Sequence, residues 1–352
     1  MSRIRSSLGV VVALLAASAQ ADVPRVVTDI APVHSLAARV MQGVGSPELV
    51  VPPGATPHEH SLRPSEADAL QSADVVFWMG ETLAPWLGGA LASLAGDAEI
   101  VALPDIEGVH LLKRRDGMLF EAHEHDDEGT RAENEGHAED GGHAEDGHHA
   151  EEDGHASDET APSEGEDAHH DDDHGEEHAH GHGEFDPHAW LSPANAKRWL
   201  DAMADVLARI DAANAETYAA NAAAGRSEIE ALEASVTEIL APVRDLRFVV
   251  FHDAYQYFED AFDLSVAGAI SPGDASDPSP VRVERMQRRI RDERIDCVLA
   301  EPQFNDSLVA TVTDGMTTRT AVIDPIGAAL EPGSSLYPAL LRDMAESLND
   351  CL

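Results

Sequence analysis

Between Glu121 and Glu184 the chain has almost nothing apolar to bury. Thirteen of its nineteen histidines stand there among aspartate, glutamate, glycine and alanine. Such a segment cannot help form a packed core and is expected to be disordered without a ligand. Any fold must therefore be assembled from the two blocks on either side. Part of the insert repeats every six residues: His137, His143, His149 and His155 each open a His-Ala-acid or His-Ala-Ser step. The formal net charge is −43, and the stretch 121–186 carries roughly 25 of those negative charges. Acidity on this scale argues against nucleic acid and anionic membranes as partners and leaves cations as the natural ones.

The flanking blocks share a rhythm of short apolar run, turn and amphipathic stretch. Before the insert, residues 25–30, 48–51, 75–79 and 99–103 are apolar and β-branched, with helix-like stretches at 33–41 and 64–71. After it, 248–251, 264–270, 297–300 and 321–323 take the strand role, with helices predicted at 254–262, 280–292, 306–315 and 336–348. Alternation of this kind predicts an α/β protein of two lobes, each a mainly parallel sheet flanked by helices. The expected lobes are 22–120 and 242–352, with 185–191 completing the first.

Residues 192–241 are alanine- and glutamate-rich, and Trp199, Met203, Val206, Leu207 and Ile210 fall on one helical stripe. Ser192-Pro193 is a helix start. The spacing predicts one long rigid helix, or two in succession, joining the lobes. A ligand cleft is expected between them, at the C-terminal ends of strands.

The first 21 residues read as an export signal: Arg3 and Arg5, the apolar run 8–17, then Ala19-Gln20-Ala21 as a small-residue cleavage site. The mature chain is expected to start at Asp22 and to be soluble and periplasmic. In an oxidising compartment the two cysteines, Cys297 and Cys351, are a candidate disulfide.

Imidazole is a good ligand for Zn²⁺, Ni²⁺ and Cu²⁺, and carboxylates add charge attraction. The insert, through His137, His143, His149, His155, His169, His170, His178, His180 and His182, is expected to gather several ions weakly. Six histidines lie elsewhere: His34, His58, His60, His110, His188 and His252. His58, His188 and His252 stand where the chain leaves a strand region or enters a helix, and they come from both blocks. Three imidazoles and one oxygen would complete a tetrahedral zinc shell. There is no His-Glu-x-x-His run; His58-Glu59-His60 and His123-Glu124-His125 have the wrong spacing for two ligands on one helical face. His34 reads as a local hydrogen bonder.

Five ordered motifs add to this: Gly54-Ala-Thr-Pro-His58-Glu-His-Ser-Leu-Arg-Pro-Ser65, Pro187-His188-Ala-Trp-Leu-Ser-Pro193, Phe251-His252-Asp-Ala-Tyr-Gln-Tyr-Phe258, Ala300-Glu-Pro-Gln-Phe304 and Ile323-Asp-Pro-Ile-Gly327. Together they resemble the cluster A-I solute-binding proteins of zinc and manganese ABC importers, most of all the zinc-binding branch, over essentially the whole mature chain. The resemblance implies ligands at His58, His188 and His252, with Asp324 or a water in the fourth place. It makes His60, Glu59 and Glu301 alternative or supporting donors, with Asp253 and Tyr255 lining the cleft. It implies a Cys297–Cys351 pair as well. In the manganese branch a glutamate resembles His252, so a histidine here fits zinc. The function implied is zinc capture by a monomer and delivery to an inner-membrane ABC permease, served indirectly by a cytoplasmic ATPase, without catalysis. Manganese or another transition metal is the alternative within the family, and a secreted zinc-dependent hydrolase is the alternative outside it.

Overall fold

The computed structural model describes residues 23–115, 184–271, 278–304 and 306–352. The export signal at 1–21 and the insert histidines named above lie outside the described residues.

Two four-stranded sheets form, both wholly parallel. The first contains β1 (Val26–Thr28), β2 (Glu48–Leu49), β3 (Val75–Trp78) and β4 (Glu99–Ala102), in the order β2-β1-β3-β4. The second contains β5 (Phe248–Val250), β6 (Val266–Ala269), β7 (Cys297–Ala300) and β8 (Arg319–Val322), in the order β6-β5-β7-β8. The orders are equivalent, so each sheet has a switch point between its two central strands, β1/β3 and β5/β7. Open α/β sheets bind ligands at the carboxyl ends of such strands.

The helices are α1 (Ala31–Val40), α2 (Pro64–Ser72), α3 (Pro85–Leu94), α4 (Pro193–Ile210), α5 (Ala215–Leu240), α6 (Gln256–Phe262), α7 (Pro280–Asp292), α8 (Asp306–Thr313) and α9 (Leu336–Asn349). Local chemistry sets several starts. Ser192 caps α4 by accepting from Asn195 N at 3.3 Å, and Ser279 caps α7 by accepting from Arg282 N at 3.3 Å. A proline occupies the first turn in both, where its missing N–H costs nothing.

The connector is two helices. The chain breaks at Asp211, whose carboxylate accepts from Asn214 Nδ2 at 2.6 Å and Tyr218 Oη at 2.9 Å. It then folds back, so that Lys197 meets Glu233 and Asp201 meets Arg226. Their approach is close: a Cβ at Gly225 would stand 2.9 Å from Leu200 Cδ1. The 26-residue α5, about 39 Å long at 1.5 Å per residue, packs on both α1 and α9. One apolar core, from Val26 through Trp199 and Leu240 to Phe248 and Leu348, runs through both lobes. The lobes are tied further by Tyr337, at the start of α9. Its N–H donates to Ser35 Oγ at 2.9 Å and its hydroxyl donates to Trp190 O at 2.9 Å.

Cys297 and Cys351 are disulfide-bonded, with Cα atoms 5.7 Å apart. Among the described residues no helix is long and apolar enough to cross a membrane.

Candidate metal centre

His252 arrives one residue beyond Phe251, at the carboxyl end of β5. Across the switch point, Glu301 follows the last residue of β7. Its Oε1 lies 2.7 Å from His252 Nδ1 and accepts from His252 N at 3.3 Å. The first sheet uses a carboxylate in the same place. Asp29, just past β1, accepts from Met79 N at 2.7 Å and Ile30 N at 2.8 Å, joining the ends of β1 and β3. Burial pushes its carboxyl up to about 7, although these backbone bonds pull the other way.

His188 precedes a turn of 3₁₀ helix at Ala189–Leu191. Asp186 holds it twice, Oδ1 lying 2.7 Å from its Nδ1 and accepting from its backbone N at 2.9 Å. Both carboxylates are buried. Each fixes an imidazole with the proton on Nδ1 and leaves Nε2 as the lone-pair donor, the arrangement found behind metal-bound histidines. His188 Nε2 is buried and has no hydrogen-bond partner among the described residues. An orphaned buried polar atom costs about 1–3 kcal/mol, so the site calls for an occupant.

His58 comes from the loop between β2 and α2 and is half-buried. Its ring centroid is 5.6 Å from that of His188, and the rings of His188 and His252 are 5.3 Å apart. Two imidazoles bound at about 2.0–2.1 Å to a tetrahedral ion have centroids roughly 5 Å apart. The rings are thus spaced for one ion but not closed on a point; among the described residues no His, Cys, Asp or Glu group forms a ready-made metal shell. Burial, then the nearby His188 and His252 and Arg114, pushes His58 down to about 2, which keeps it neutral and ligand-competent.

The three rings and Glu301 face a cavity of about 20 Å³, walled by Trp190, Phe304 and Ile326. One water or ion fills that space.

Other expected donors stand elsewhere. Asp324 is drawn into a turn instead of the cavity. Its Oδ1 accepts from Gln303 Nε2 at 2.9 Å and from Ile326 N and Gly327 N at 3.0 Å, and its Oδ2 accepts from Ala328 N. His60 is bonded through Nε2 to Glu66 at 2.9 Å, at the start of α2, and packs edge-on to Trp86. Glu59 is exposed. Adjacent side chains diverge on this loop, and none of the three lines the cavity. His34 bonds Pro47 O through Nε2 at 3.1 Å. Tyr255 is buried, and burial followed by the Glu301 and Asp324 carboxylates raises its hydroxyl well above the ordinary range. Asp186 is the site residue that sequence reasoning missed. Its place two residues before His188 was the available sign.

A family model described as zinc-uptake complex component A, periplasmic, matches residues 26–351. The chain is 43% identical over 335 residues to the high-affinity zinc uptake system protein ZnuA of Paracoccus denitrificans (strain Pd 1222), covering 95% of this chain and 93% of the relative. It is 42% identical over 327 residues to the protein of that description from Brucella abortus (strain 2308), covering 93% and 91%. In fold it is similar to the periplasmic zinc binding protein TroA from Treponema pallidum, with TM-score 0.67, 17% identity and coverage of 93% and 98%.

Proposed function

Because the chain belongs to the zinc-uptake complex component A family of periplasmic solute-binding proteins, we propose that it captures Zn²⁺ between His58, His188 and His252 and delivers it to an inner-membrane ABC permease. The observation that carries the ligand set is the buried Nε2 of His188, without a hydrogen-bond partner among the described residues, between two further imidazoles on a cavity of about 20 Å³. Three neutral nitrogens suit zinc better than manganese, which prefers carboxylate oxygens. With Asp324 taken up by its turn, a water is the fourth ligand. The protein acts as a monomer, secreted by removal of residues 1–21, and the insert histidines collect ions outside the tight site.

The small space between the rings favours capture over catalysis. A zinc hydrolase needs an open metal position beside room for an organic substrate. This cavity admits one ion or water. The test is competitive loading with equimolar Zn²⁺ and Mn²⁺, followed by elemental analysis, and a hydrolase screen of the loaded protein. One tightly held zinc without turnover is expected. Retained manganese, or turnover lost in His58→Ala, would overturn the reading.

The carboxylates behind the rings supply a second prediction. Asp186→Asn and Glu301→Gln keep the shape but remove the charge that makes each imidazole a stronger donor. Each is expected to weaken zinc binding by about 10- to 100-fold, read by competition against a calibrated chelator. Full affinity in both variants would show that the rings are oriented by packing alone.

Proton competition gives the third. Affinity should hold above the ordinary histidine range near 6.5 and fall as the pH drops through it, because protonated imidazole is no ligand. His58, pushed down to about 2, brings no proton to displace. The fall in affinity is therefore not expected from His58 itself. A flat profile between about pH 5 and 7.5 rules out histidine ligands.

A further inference from the structure

The segment before the insert does more than connect. Leu112, Lys113 and Arg114 run beside Glu184, Phe185 and Asp186, joined by Arg114 N to Glu184 O at 2.8 Å and Asp186 N to Leu112 O at 2.9 Å. Asp186 is the carboxylate that orients His188. On its other side the segment meets the second lobe. Leu112 N donates to Tyr257 Oη at 3.0 Å, and that hydroxyl donates to Asp186 O at 3.0 Å. Arg115 then forks between two carboxylates at the entry of α6. Its Nε donates to Asp253 Oδ2 at 3.1 Å, and Nη2 reaches Asp253 Oδ1. Nη1 and Nη2 donate to Glu259 at 3.0 and 2.7 Å. Asp253 is the residue after His252, in the turn closed by Ala254 N donating to His252 O at 3.0 Å.

We propose that residues 112–115 form a strap that sets the spacing of His188 and His252, with Arg115 as its positioning residue. One end of the strap holds the carboxylate behind His188, and the other holds the turn that carries His252. A planar guanidinium suits this task because its fork fixes direction as well as distance. Without the cation, Asp253 and Glu259 face each other largely buried, and their repulsion is relieved by moving the 252–255 turn. The ring most exposed to that movement is His252. Arg115 touches no metal in this scheme; it acts through Asp253.

The proposal rests on the zinc reading above, and the experiment separates the two. Zinc stoichiometry, the chelator-induced dissociation rate and apo thermal stability are measured for the full chain and for Arg115→Gln, Arg115→Lys, Asp253→Asn and the Arg115→Gln/Asp253→Asn double variant. Arg226→Gln, which removes the equivalent charge from a pair with Asp201, is the control. In Arg115→Gln the tight site should stay stoichiometric while zinc leaves about 10- to 100-fold faster, the range for groups that orient ligands. Lysine should recover part of this, and the double variant should cost less than the two single effects combined. Dissociation within twofold of the parent, or fewer tight sites with the rate unchanged in those that remain, would reduce Arg115 to a structural role and sink the proposal. Absence of a tight zinc site in the parent chain would instead overturn the zinc reading, and the strap with it.

Discussion

Replacing His58 by alanine is expected to weaken zinc binding by about 10²- to 10³-fold, whereas the same change at His60 should leave it nearly unchanged. The magnitude follows from an apparent binding energy of about 10–16 kcal/mol for a four-ligand zinc, or roughly 2.5–4 kcal/mol per ligand. The contrast follows from geometry. His58 faces the cavity beside His188. His60, two residues on, is bonded to Glu66, which also accepts from Arg63 N at 2.7 Å at the start of α2. Losing that bond should cost His60→Ala about 1 kcal/mol of folding stability. Chelator competition and thermal unfolding of the apo proteins check both halves. Equal losses of affinity in the two variants would show that the loop, not His58, carries the site. His252→Ala should resemble His58→Ala in affinity. It should also lower apo stability, because the buried Glu301 then loses the imidazole, keeping the backbone N–H of residue 252.

The pair His58 and His60 also shows what the sequence could carry. Both stand in one short motif, and no periodicity decides which faces inward; only the bond to Glu66 and the ring of Trp86 do. Strand–helix alternation was legible because buried parallel strands read as short β-branched runs, as in Val75–Trp78 and Cys297–Ala300. α7 was legible at both ends, since Ser279-Pro280 starts it and its apolar stripe stops at Asp292. α3 was missed. Gly88 and Gly89 lower its helix propensity by about 1 kcal/mol each, and Ala84 before Pro85 offers no capping side chain. β8 begins two residues before the apolar run at 321–323, because its exposed first half, Arg319 and Thr320, lacks apolar pattern. The motifs lead one to expect the three rings near one another, as they are, but residue type alone does not say where the Asp324 carboxylate turns. An aspartate before Pro-Ile-Gly can point outward or gather the turn's own N–H groups, and here it does the second. Arg115 was opaque for a related reason: its partners Asp253 and Glu259 lie far along the chain.

Removing the disulfide is expected to produce the largest loss of folding stability. Cys297 opens β7, and Cys351 lies just past α9. Their separation of 54 residues corresponds to about 4 kcal/mol in the chain-entropy model. The bond holds the end of the helix whose start presents Tyr337 to Ser35 and Trp190, so its loss is felt across the lobes. It should not be felt at the metal. β7 stays paired to β5 and β8 without it, and Glu301 keeps its place behind His252. The Cys297→Ala/Cys351→Ala variant should therefore lose about 4 kcal/mol by denaturant unfolding while its zinc affinity, measured under folding conditions, stays close to that of the parent. Zinc at about 100 times Kd should restore about 2.7 kcal/mol, since it binds the folded chain alone. That rescue should fall below about 0.5 kcal/mol when His58→Ala is added. A stability loss under about 1 kcal/mol would mean that α9 is held by its apolar face, and that the cross-link adds little to a helix already buried from Leu336 to Leu348.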